Sequence, residues 1–124
     1  MIEPLPYRRA SDGSLVLRKD ARSLARAVTV ASGLGTTSAC TWLKLPSCDA
    51  PAVVFGSTTL PCVVLGGVPG PDPAADLASW GQALTQPAVR GLVVGRSLLY
   101  PPGGDVYGAV EAAAQVLRAA ATES

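Results

Sequence analysis

The stretch Leu60-Pro61-Cys62-Val63-Val64-Leu65-Gly66-Gly67 decides how this chain is read. Its apolar residues run together without apolar/polar alternation, the pattern of a strand covered on both faces in a parallel sheet, and the glycine pair stops it. Outward from it, apolar β-rich runs at residues 1–5, 41–45 and 92–94 read as three further strands of the same kind. Helical signals fill the gaps. Asp20 caps a segment in which Leu24, Ala27, Val28 and Ala31 share one face, and Gly33 stops it. Asp72-Pro73 opens a second helix with Leu77, Trp80 and Leu84 in one stripe, ending before Pro87. Asp105 precedes a third, with Val106, Val110, Ala113 and Leu117 at helical spacing and Glu111, Gln115 and Arg118 directed elsewhere. A shorter turn over residues 49–55 ends at Gly56. Strands alternating with helices imply βαβ crossovers and an α/β fold with about four parallel strands.

Composition narrows the function classes. The chain has 124 residues, 48% hydrophobic and 15% charged, enough for one ordinary domain and too apolar for disorder. A net charge of +1, from ten basic and nine acidic side chains, gives no electrostatic reason to expect nucleic acid or an anionic membrane as partner. No apolar run reaches the ~18 residues of a membrane span, and the first residues lack the basic and apolar regions of a signal peptide, so a cytoplasmic protein is expected. With no histidine, and with Cys40, Cys48 and Cys62 outside metal-binding spacing, neither a metal nor a cofactor is expected, and reduced thiols are the default.

Three groups of residues can carry chemistry. In Thr41-Trp42-Leu43-Lys44-Leu45-Pro46, Trp42 and Lys44 share one strand face and Leu43 and Leu45 the other. A lysine desolvated at a strand end loses ammonium character and can attack a carbonyl as a Schiff-base nucleophile; the bland alternative is a lysine that snorkels to water. Gly66 and Gly67 follow one strand, and Gly95 and Arg96 another. Glycines at a strand end let backbone N–H groups approach an anion, and an arginine adds a bidentate phosphate partner, although any one of these alone also fits a simple turn. Glu3 is the one acid on an expected strand. Gly33-Leu34-Gly35 follows a helix and fits a dinucleotide fingerprint poorly.

Glu3-Pro4-Leu5, Trp42-Leu43-Lys44-Leu45-Pro46, the Leu60 to Gly67 stretch and Arg90-Gly91-Leu92-Val93-Val94-Gly95-Arg96-Ser97-Leu98-Leu99-Tyr100-Pro101 resemble, in order, the second half of class I aldolase barrels. The nearest resemblance is to the deoxyribose-phosphate aldolase-like family associated with actinobacterial sugar and inositol catabolism. That resemblance implies half of a TIM (β/α)8 barrel, units five to eight, as one partial domain over residues 1–124 without the N-terminal half of a fold that typically needs ~250 residues. It places the Schiff-base lysine at Lys44, the substrate phosphate at Gly66, Gly67, Gly95 and Arg96, and an auxiliary acid at Glu3. The expected function is lysine-imine C–C cleavage of a phosphorylated keto or deoxy sugar, weak or absent in the isolated chain. The alternative is a non-catalytic half-barrel that binds phosphate or oligomerises, or a decayed gene product. A phosphorylated sugar, a second copy or a complementary N-terminal half-barrel are the partners this implies.

Overall fold

The computed structural model describes residues 1–122. Its elements run β1 (Tyr7–Arg9), β2 (Leu15–Leu17), α1 (Ala21–Ser32), β3 (Leu43–Pro46), α2 (Pro51–Phe55), β4 (Cys62–Leu65), α3 (Pro73–Leu84), β5 (Val89–Val93), α4 (Arg96–Leu99), a 3₁₀ turn (Pro102–Gly104) and α5 (Val106–Thr122). The expected half-barrel with four parallel strands is not what forms. The strands make a three-stranded parallel sheet, β3-β4-β5, and a separate antiparallel pair, β1-β2.

Proline chemistry explains the lost fourth strand. Ile2 begins a parallel pairing with β3: its N–H donates to the Trp42 carbonyl and its own carbonyl accepts from Lys44 N–H, each at 2.8 Å. The next donor on that segment would be residue 4, which is proline and has no N–H, and Pro6 repeats the defect. The pairing therefore stops at a single bridge. The chain instead turns into the hairpin, in register Tyr7↔Leu17, Arg8↔Val16, Arg9↔Leu15. Its turn is held by Asp12 Oδ1, which accepts from Ser14 N at 2.9 Å and Ser14 Oγ at 2.7 Å, and by Gly13 at φ +85°.

The helices form largely where capping chemistry places them. Asp20 Oδ1 accepts from Ser23 N–H at 2.9 Å at the start of α1, and that bond holds the Asp20 carboxyl below its ordinary range. Asp72 Oδ1 accepts from Ala74 N–H at 3.0 Å ahead of α3, with Pro73 in the first turn. Asp105 Oδ1 accepts from Gly108 N–H at 2.9 Å before α5. On α5 the expected stripe holds only at Ala113, which is buried: Val106, Val110 and Leu117 are exposed, and Val116 and Ala120 pack on the core instead. Val116 faces Gly81 of α3, where an added Cβ would sit 3.7 Å from Val116 Cγ1, an ordinary packing distance.

One sheet face builds the core. Leu43 and Leu45 of β3 lie in register with Cys62 and Val64 of β4, and all four are fully buried against Leu24, Val28, Val54, Phe55 and Trp80 of the helices. The opposite face carries Lys44, Pro46, Val63, Leu65 and Val93. Between β4 and β5 the register slips, with Cys62 opposite Val89 but Val64 opposite Leu92, so β5 carries a bulge around Arg90 and Gly91. Among the described residues no helix is long and apolar enough to cross a membrane. Leu45 is the natural probe of this core. Leu45→Ala should lower unfolding stability by about 2 to 5 kcal/mol in a urea titration, because the cavity it leaves between sheet and helices closes only in part.

Candidate functional site

The carboxyl ends of β4 and β5 lie side by side, and the residues that follow them touch. A Cβ on Gly66 would collide with Val94 Cγ1 and lie 3.2 Å from Val94 Cβ, so glycine is what lets the two strand-end loops approach. Gly67 takes φ +66°, a left-handed turn open to glycine at no steric cost. Beyond it, Gly70 N–H donates to Asp76 Oδ2 at 3.1 Å and pins the loop to α3. On the β5 side, the Gly95 carbonyl accepts from Leu98 N–H at 3.0 Å and Leu99 N–H at 2.9 Å to start α4. Nothing lies within 4 Å of a Cβ built on Gly95. Arg96 is exposed, and among the described residues it pairs with no carboxylate.

Lys44 stands apart from these loops. It is opposite Val63, two residues before Pro46, and Pro46 in turn is opposite Leu65, the residue ahead of Gly66. At ~3.3 Å per strand residue that is a step of roughly 6 to 7 Å back from the edge. Lys44 Nζ donates to Glu3 Oε2 at 3.2 Å, with side-chain exposures of 27% and 41%. The structure thus brings the lysine and Glu3, both singled out from the sequence, together as a half-exposed ion pair. No hydrogen bond or ion pair among the described residues joins this pair to Gly66, Gly67, Gly95 or Arg96.

The three thiols differ in burial. Cys40 is exposed, Cys48 half-buried and Cys62 buried, all unpaired. Burial raises the Cys48 thiol and pushes Cys62 up to about 11, and Cys62 Sγ donates to the Leu60 carbonyl at 3.3 Å. Among the described residues no group of three or more histidine, cysteine or acidic side chains is placed to hold a metal. A groove of about 460 Å³ runs between residues 2–6 and α1, but apart from Arg26 its walls, with Ile2, Leu5, Ala27, Val30 and Leu34, carry no charge. Two residues near the strand ends escape a reading of the sequence: Asp76, whose only signal is an acid in the first turn of α3, and Ser97, whose buried Oγ has no hydrogen-bond partner.

These residues define a small α/β domain whose glycine-containing loops gather at the carboxyl edge of a short parallel sheet, where proteins of this class place ligands. The chain belongs to the Cgl0159-like family, whose model matches residues 1–114. It is similar to the crystal structure of Cgl0159 from Corynebacterium glutamicum (Brevibacterium flavum), with a TM-score of 0.85 and 45% sequence identity over 92% of this chain. The match covers 38% of that longer chain, so this chain spans well under half its length. No curated protein matches. The aldolase resemblance is corrected accordingly: the family shown is Cgl0159-like, nothing in these matches points to aldolase, lyase or Schiff-base chemistry, and the strands do not make half of a TIM barrel.

Burial of Cys62 generates a test by pH. A thiol whose folded pKa is raised above its ordinary value near 9 adds stability below that value, and the contribution is lost as pH rises toward about 11. Urea midpoints should therefore fall across that window in the wild type and fall less in Cys62→Ala. A thiol reagent at neutral pH should label Cys40 rapidly and Cys62 only after unfolding.

Proposed function

We propose that this chain is a ligand-binding α/β module that takes a phosphorylated small molecule at the carboxyl ends of β4 and β5. The observation that carries the reading is the contact of Gly66 with Val94, which sets the two glycine loops side by side, with Arg96 following Gly95 and, among the described residues, pairing with no carboxylate. Gly66, Gly67 and Gly95 keep the backbone accessible, so its N–H groups can meet phosphate oxygens, and Arg96 supplies the charge and a bidentate fork. Arg96 opens a helix of only four residues, so the helix itself adds little; the loops and the side chain do the binding. Lys44 has no part in this reading, since its ammonium already meets Glu3. A cytoplasmic setting belongs to the same proposal, supported by three cysteines without disulfide partners.

Calorimetric titration with inorganic phosphate and with a sugar phosphate tests it. Arg96→Ala should weaken binding about tenfold or more, the usual weight of a hydrogen bond to a charged group, and raised salt should weaken the wild type as well. Gly66→Ala should also weaken it, by forcing Val94 and the loops apart. No binding to either ligand, or equal affinity in wild type and Arg96→Ala, would return these residues to the role of turns and surface.

A further inference from the structure

A small, partly open cavity of about 40 Å³ lies by the strand-end loops, lined by Trp80 and Leu77 of α3, Leu98 of α4 and Ala109 of α5. Two side chains give it polar character, Ser97 and Asp76. Ser97 Oγ is buried and makes no hydrogen bond to the protein. Asp76 spends one oxygen on Gly70 N–H at 3.1 Å, which leaves its second oxygen available. A buried hydroxyl without a partner is destabilising, and native structures satisfy nearly all such groups with protein or with ordered water. The volume suits one water molecule: a site needs roughly 10 to 15 Å³ by this measure, and a water's share of liquid volume is about 30 Å³.

We infer that a single water occupies this cavity and bridges Ser97 Oγ to the Asp76 carboxylate. One carboxylate then ties down both loops, the β4 loop directly through Gly70 and the β5 loop through the water and Ser97, the neighbour of Arg96. Asp76 thereby becomes a positioning residue for the anion site. That last step rests on the function proposed above; the water itself does not.

A high-resolution crystal structure should show the water within hydrogen-bond distance of both side chains. Ser97→Ala should remove it and lower Tm by about 3 to 6 °C, the scale for one hydrogen bond in a domain of this size. In a dry cavity the same change removes an unpaired hydroxyl, so an unchanged or raised Tm together with an empty cavity would overturn the bridge. For positioning, Asp76→Ala should weaken inorganic phosphate binding several-fold, although deleting a negative charge would by electrostatics alone strengthen it. Asp76→Asn, which keeps an acceptor for Gly70 and a polar group toward the water, should restore both Tm and affinity. Unchanged or tighter phosphate binding in Asp76→Ala overturns the positioning role. Absence of phosphate binding in the wild type overturns the anion site and the positioning role with it, and leaves the bridge to be decided by the electron density and Tm.

Discussion

Burial of β4 is the constraint on which the remaining architecture depends. It is the central strand of the sheet, with Cys62 and Val64 fully buried on the helical side and Val63 only 8% exposed on the other. Its register sets Leu43 and Leu45 beside Cys62 and Val64, and that four-residue patch is what α1, α2 and α3 cover with Leu24, Val28, Val54, Phe55 and Trp80. Removing such a patch from water is the main favourable term in folding a domain this small. The same strand ends at Gly66, so the element that organises the core also fixes where the strand-end loops meet.

The parts of this fold that local chemistry specifies were legible in the sequence. Asp20, Asp72 and Asp105 each accept a backbone N–H from the first turn of the helix they precede, which is why α1, α3 and α5 could be placed from capping alone. Features decided by pairing between distant segments were not. The run at residues 1–5 is apolar enough for a strand, yet the missing N–H of Pro4 limits it to one bridge. Asp12-Gly13 is a hairpin signal, and the short strands on either side of it went unrecognised because most of their residues face water. On α5 the helical spacing points correctly to Ala113 but not to Val116 and Ala120, which pack on the core while Val106, Val110 and Leu117 are exposed.

The candidate site divides along the same line. Gly66, Gly67, Gly95 and Arg96 were visible as residues just past apolar runs, and the sheet does bring those ends together. The pairing of Glu3 with Lys44 spans 41 residues and has no local signal, so the sequence singles out both residues but not the ion pair that joins them. A resemblance carried by strand-end motifs describes how such ends are built more than what they catalyse, because one architecture hosts many activities. The family to which the chain belongs replaces that reading, and the chemistry must be argued from the loops themselves.

The proline that stops the first segment also affects how this molecule meets its neighbours in a concentrated solution. An exposed sheet edge offers a ready template for another chain, and short open sheets are prone to stack through it. Along the outer edge of β3, Ile2 already takes the Trp42 carbonyl and the Lys44 N–H, and the next position presents the ring of Pro4. Along β5, the bulge at Arg90 and Gly91 breaks the spacing an incoming strand would have to match, and Arg90 adds an exposed charge. Each edge is thus made a poor partner for strand addition, by a ring on one side and a kink on the other, which favours the dispersed chain over fibrous or amorphous aggregates.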